Sequence, residues 1–106
     1  MIHEMRTYRV NLADRPEFLQ EFGESIVPLL PEFGLKLLAA WMTTIGSHAA
    51  LDFMWLLEFK DLSHREHAWK GLHADLRFKK AAEKLRPNIV DVDVRILEPV
   101  GVSPLA

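Results

Sequence analysis

A chain of 106 residues with 49% apolar and 26% charged content has the composition of one ordinary globular domain, spanning residues 1–106. Its formal net charge of -2 argues against nucleic-acid binding, which calls for a basic surplus, and the lack of cysteine excludes disulfides, thiolate nucleophiles and cysteine-held metals. No apolar run approaches a membrane span, and MIHEMRTYRV lacks an apolar core of signal-peptide length, so a cytoplasmic protein without membrane association is expected.

Ile2 to Val10 reads as a strand. Ile2, Glu4, Arg6, Tyr8 and Val10 share one face, and His3, Met5, Thr7 and Arg9 share the other. Neither face is plainly apolar, so periodicity alone does not orient it. Asn11 to Arg15 turns into a helix, with Asp14 as N-cap and Glu17 completing a capping-box-like pair. Pro16 is tolerated in the first turn. Phe18, Phe22, Ile26 and Leu29 or Leu30 recur at helical spacing, and Gly23 weakens the middle by roughly 1 kcal/mol relative to alanine. Pro28 and Pro31 end the helix, and Gly34 opens the next element.

Leu35 to Ile45 reads as a second strand, with Leu37, Ala39, Trp41 and Thr43 on one face and Leu38, Ala40, Met42 and Thr44 on the other. Gly46-Ser47-His48 supplies a hairpin turn into Leu51 to Phe59. That third strand is apolar on both faces, with Leu51, Phe53, Trp55, Leu57 and Phe59 at one parity and Met54 and Leu56 at the other. It belongs in the centre of a sheet covered on both sides. A chain this short supplies one layer of helices, so a second copy of the sheet is the expected cover for the other face.

Asp61-Leu62-Ser63 ends the third strand, and Ser63 with Glu66 forms a capping box for a helix with Ala68, Trp69 and Leu72 as its apolar stripe. Gly71 and His73 suggest an early end. Asp75 caps a further helix with Leu76, Phe78, Ala82 and Leu85 inward, and Pro87 stops it. Asn88 to Glu98 is the last strand. Val90, Val92, Val94 and Ile96 form its apolar face, alternating with Asp91, Asp93 and Arg95, and residues 100–106 form an irregular tail. The order β-α-β-β-α-β, with a right-handed crossover split by the inserted strand, gives an α+β, ferredoxin-like fold. It has a four-stranded antiparallel sheet in order 4-1-3-2, with helices on one face.

Several short stretches now fall into a pattern: Glu4-Met5-Arg6-Thr7-Tyr8, Trp41 to Gly46 as W-x-T-T-x-G, and Trp55. Asp61-Leu62, Arg65-Glu66, Leu85-x-Pro87 and Arg95-Ile96-Leu97-x-Pro99 continue it. In this order, over nearly the whole chain, they resemble the NIPSNAP family. The resemblance implies a dimeric α/β barrel, two ferredoxin-like sheets packed face to face. The wider superfamily includes cofactor-free monooxygenases, lactone isomerases and haem-binding enzymes, while NIPSNAP members have no securely assigned reaction. Relatives often carry asparagine, histidine and tyrosine near positions 49, 53 and 57, where this chain has Ala49, Phe53 and Leu57, which implies a greasier cavity.

Glu4, Arg6 and Tyr8 are the leading site candidates. With Met5 and Thr7 against the helices, the trio faces the partner copy, and Asp91, Asp93 and Arg95 face the same way. Against Phe53, Trp55 and Leu57 such a patch suits an anionic or carbonyl-bearing ligand held by Arg6, with Tyr8 as acid or donor. The plainer account is a set of interfacial ion pairs, because charges leaving water need partners. Trp41 and Trp55 offer walls for a flat ligand, or else core and dimer contacts. His64 and His67 are spaced i, i+3, but lack the further ligands a closed metal site needs, so no metal is expected. His48 after Ser47 lacks a third member to orient a catalytic dyad. No histidine is expected on the inner face, so no haem or other cofactor is expected. The leading expectation is a homodimer, or a higher oligomer, that binds a small hydrophobic molecule or acts as an accessory protein. The alternatives are a cofactor-independent monooxygenase- or isomerase-like enzyme on a small carbonyl or aromatic compound, and a structural dimer that recruits another protein.

Overall fold

The computed structural model describes residues 1–46 and 52–106. Leu51, the Ser47-His48 turn and Ala49 lie outside the described residues. Four strands form one sheet: β1 (Ile2–Val10), β2 (Lys36–Met42), β3 (Asp52–Phe59) and β4 (Ile89–Leu97). Their order is β2-β3-β1-β4, every neighbouring pair antiparallel, which is the expected ferredoxin-like arrangement. The helical layer consists of α1 (Arg15–Glu21) and its continuation to Phe33, α2 (Leu62–Ala74) and α3 (Leu76–Leu85). No helix among the described residues is long and apolar enough to cross a membrane.

Local chemistry explains where the helices begin and end, and in two places it differs from expectation. Asp14 does not cap α1 with its side chain. It ends a short 3-10 turn at φ -92° and ψ -3°, and a side-chain N-cap normally needs an extended backbone. Asp61 is extended, at φ -163° and ψ -179°, and accepts the His64 N–H at 2.8 Å, so it caps α2 and the expected Ser63 lies inside the helix. Asp75 does cap α3, accepting the Arg77 N–H at 2.8 Å. After α1 the chain does not stop at Pro28. It widens into a π-type turn at Phe22–Ile26 and then tightens into a 3-10 segment, Val27–Phe33, that carries both prolines. Gly34, at φ +82°, closes it in the left-handed conformation that glycine adopts at no steric cost.

The core lies between the helices and one face of the sheet. Phe53, Trp55, Leu57 and Phe59 of β3 are buried there with Phe18, Phe22, Leu30 and Leu72. In α3 the buried or half-buried side chains are Phe78, Ala81, Ala82 and Leu85, an i, i+3, i+4, i+7 stripe. Leu76 falls off that stripe and is 64% exposed, not inward as expected. The other face of β3 carries Met54 and Leu56, which no helix covers and which are half-buried.

Two edge features matter for the site. The β2–β3 register shifts between Leu37 and Ala39. Leu37 therefore lies opposite Leu57 on the helix face, whereas Ala39 and Trp41 lie opposite Leu56 and Met54 on the open face. A one-residue bulge flips every later side chain, so the expected common face of Leu37, Ala39 and Trp41 is divided. At the other edge, Val92, Val94 and Ile96 lie opposite Tyr8, Arg6 and Glu4 on the helix face, but remain exposed.

Candidate functional site

The site grows from β1. Glu4 lies opposite Leu57, Arg6 opposite Trp55 and Tyr8 opposite Phe53. The trio therefore faces the helices and not a partner copy, so the condition that Met5 and Thr7 lie against the helices is not met. Asp91, Asp93 and Arg95 lie opposite Arg9, Thr7 and Met5 on the open face, so they do not join the trio. The helix side wins because Phe53, Trp55 and Leu57 must be buried, and antiparallel pairing forces their β1 partners onto the same side.

Glu4 is 0% exposed and its carboxylate accepts three hydrogen bonds. Arg6 Nη1 donates to one oxygen at 2.7 Å, while Arg65 Nε at 2.5 Å and Trp69 Nε1 at 3.0 Å donate to the other. Arg65 and Trp69 are one helical turn apart on α2, so one helix face delivers both donors. Burial alone would raise the Glu4 carboxyl, but the hydrogen bonds from Arg65, Arg6 and Trp69 outweigh it and hold it below the usual carboxylate range. Burial works against the Arg6 charge too, and there Tyr8 and Glu4 more than offset it, so Arg6 stays charged.

Arg6 is also boxed by aromatic rings. Its guanidinium carbon lies 4.6 Å from the Trp69 ring centre and 5.7 Å from those of Trp55 and Tyr8. Such cation–π contacts suit the planar, weakly hydrated guanidinium. Arg6 Nε donates to the Tyr8 hydroxyl oxygen at 3.0 Å, which leaves the phenolic hydrogen for another acceptor. Trp55 is 2% exposed, and its Nε1 finds no acceptor among the described residues.

Beside this cluster lies a cavity of about 560 Å³, within the range of small-molecule sites. Arg6, Tyr8 and Trp55 line it from the sheet, Trp69 and His73 from α2, and Phe78 from α3, with the exposed start of β4 along its rim. The His73 ring packs 5.3 Å from both Trp69 and Phe78. Burial and the nearby Arg6 charge lower its basicity, so His73 is neutral near pH 7.

The NIPSNAP family model matches residues 3–104. The chain belongs to the NIPSNAP family. No curated protein matches it. An uncharacterised NIPSNAP domain protein from Burkholderia xenovorans is similar over 98% of this chain and 99% of its own, with 24% identity and a TM-score of 0.89. A NIPSNAP family protein from Agrobacterium tumefaciens is similar over 99% of this chain and 98% of its own, with 25% identity and a TM-score of 0.91. An antibiotic biosynthesis monooxygenase shares the fold at 14% identity, covering 94% of this chain and 99% of that one with a TM-score of 0.68.

In this NIPSNAP chain the cavity brings together Arg6, Tyr8 and Trp55 of the expected residues. Glu4 stands behind Arg6 and positions it. Phe53 is buried against Tyr8, their ring centres 6.4 Å apart, and supports the wall without lining the space. Trp41 lies on the opposite sheet face, 48% exposed, because of the β2 bulge. Arg65, Trp69, His73 and Phe78 were not expected here. The first three are spaced four apart on one helix face, a pattern visible in the sequence had α2 been set against β1. His73 also corrects the expectation that no histidine borders the inner face. His64 is occupied elsewhere: its Nδ1 accepts the Lys60 N–H at 3.0 Å and its Nε2 donates to the Gly34 carbonyl at 2.9 Å. His67 Nδ1 lies 2.9 Å from the Ser63 carbonyl, so the two histidines do not converge.

Proposed function

We propose that this NIPSNAP protein binds a small, largely apolar molecule in the cavity between sheet and helices, as a cytoplasmic homodimer serving a binding or accessory role. The observation that carries the reading is a charged, hydrogen-bonding Arg6 held at the wall of an aromatic cavity by a carboxylate that is itself fully buried. Burying Glu4 and Arg6 costs free energy, and a group oriented at such expense beside an accessible space suits a ligand more than a core. The dimer is supported by the open face, where Met5, Met54 and Leu56 lie together uncovered by any helix.

A second reading, a cofactor-independent enzyme on a small hydrophobic carbonyl or aromatic compound, draws on the Tyr8 hydroxyl. Because that oxygen accepts from Arg6, its hydrogen is available to the cavity. Arg6 would polarise a substrate oxygen, Tyr8 would donate to it, and Glu4 would orient Arg6.

Native mass spectrometry on the purified protein, followed by denaturing spectra, tests both assembly and binding. The expected result is a dimer carrying a non-covalent mass that Arg6→Gln removes. A monomer sinks the assembly. A bare dimer that no small-molecule panel stabilises against heat sinks the binding role. Conversion of a bound compound to product that stops in Tyr8→Phe, with affinity retained, favours the enzyme.

A further inference from the structure

We propose that the cavity takes the anion of a small aromatic or hydrophobic carboxylic acid, its carboxylate against Arg6 and the Tyr8 hydroxyl and its ring between the aromatic walls. The inference deepens the binding role proposed above and rests on it.

The first argument is a charge count. Arg6 and Arg65 share the single carboxylate of Glu4, so the three groups together carry one surplus positive charge. Arg65 reaches partly into solvent, whereas Arg6 is the member that borders the cavity. Asp91 also borders the cavity, but one of its oxygens accepts the Val92 N–H at 3.0 Å and its register sets it on the open face. His73, its basicity lowered by burial and by the Arg6 charge, has no negative form to offset the surplus. Arg86 also borders the cavity and offsets Asp91, so one positive charge is still left over.

The second argument is the inventory of hydrogen-bonding groups. Arg6 spends Nε on Tyr8 and Nη1 on Glu4, and Nη2 has no acceptor among the described hydrogen bonds. A guanidinium has five N–H donors and no acceptor, so capacity remains. Tyr8 receives from Arg6 and keeps its own hydrogen to give. The sheet side of the cavity thus offers donors, and a ligand must bring acceptors to it. A neutral carbonyl would meet the hydrogen-bonding demand but not the charge, while a carboxylate meets both. The remaining walls, Phe22, Trp55, Trp69 and Phe78, suit a flat apolar body and not a second polar head.

The test is calorimetric titration of the full chain at pH 7.5 with three probes of one shape: 2-naphthoate, neutral 2-naphthamide and cationic 2-naphthylmethylammonium. A charge-assisted hydrogen bond predicts that naphthoate binds about 10- to 100-fold more tightly than naphthamide, with the cation weakest. Arg6→Gln should erase the preference of naphthoate over naphthamide, and Ala82→Trp, which fills the cavity from α3, should remove both. Should Arg6→Gln fail to fold, the three-probe ratio on the unaltered protein decides alone. Equal binding of naphthoate and naphthamide overturns the anion inference and leaves the binding role standing. Unchanged naphthoate binding to a folded Ala82→Trp protein overturns it too, by placing the probe elsewhere. Binding by none of the three overturns both.

Discussion

The two faces of the sheet hold their charges in different ways. On the helix face, Glu4 is fully enclosed and takes three donors at 2.5 to 3.0 Å. On the open face, Arg95 meets Asp93 at 2.9 Å in solvent, Glu58 meets His3 at 3.1 Å and Lys36 at 3.4 Å, and Arg9 stands 3.6 Å from Asp52 with its Nε lacking a hydrogen-bond acceptor among the described residues. One network fully satisfies its carboxylate and is oriented by packing. The other is looser, and its apolar neighbours are only half covered. The difference teaches where rigidity has been placed. The helix face holds a guanidinium in one orientation beside the cavity, and the open face leaves apolar side chains half covered.

Breaking the tight network should give the largest effect. Glu4→Ala leaves two guanidiniums and the Trp69 N–H without their acceptor, and removal of one partner from such a buried ionic cluster typically costs about 3–5 kcal/mol. Urea denaturation of the variant measures it, and a loss below about 1 kcal/mol would show that water already satisfies these groups. The pH dependence follows from the direction of the Glu4 shift. Its folded pKa lies below the ordinary value, so its contribution is present above that value and is lost as pH falls through the folded one. Stability should therefore fall on acidification more steeply in the unaltered protein than in Glu4→Gln. Parallel curves would remove Glu4 from the account.

Much of the fold was legible because β3 is apolar on both faces and β4 alternates cleanly. Phe53, Trp55 and Leu57 specify a central strand, and the turn and cap residues around it set the order of elements. The orientation of β1 was not legible, because Glu4, Arg6 and Tyr8 on one side and His3, Met5 and Thr7 on the other are both mixed. Only its pairing with β3, and the Arg65 and Trp69 donors of α2, decide which side is inside. Trp41 departs from its expected face for a related reason. The bulge near Leu38 has no glycine or proline to announce it, yet it moves every following residue to the other face. Site residues that rest on parity within one strand were thus harder to place than the strand itself.

The open face calls for a substitution at a residue that points into it. A charge at Trp55 would disrupt the core beneath the helices and report little about assembly, because Trp55 faces inward. Leu56→Asp addresses the open face directly. Leu56 is only half-buried in one chain, so the variant should fold, with an intermediate effect on stability. Sedimentation velocity should show the protein shifting from dimer to monomer as the charge is forced into an apolar contact. A Leu56→Asp protein that sediments as the unaltered one does would place the interface elsewhere.

The smallest predicted effect sharpens the comparison at a single hydrogen bond. Asp61 and Ser63 lie two residues apart, and both resemble helix caps in sequence. Asp61 is extended and accepts the His64 N–H, whereas Ser63 lies inside the first turn of α2. Asp61→Ala should therefore cost about 1 kcal/mol, and Ser63→Ala should stay within roughly 0.5 kcal/mol of the unaltered protein. Denaturation midpoints of the two variants, compared at equal slope, separate them. The loss at Asp61 should also weaken the entry of α2, whose next turn carries Arg65 and Trp69 to Glu4. If Ser63→Ala proves the more costly, the helix begins two residues later, and the donors that hold Glu4 would leave from a shorter, less firmly anchored helix.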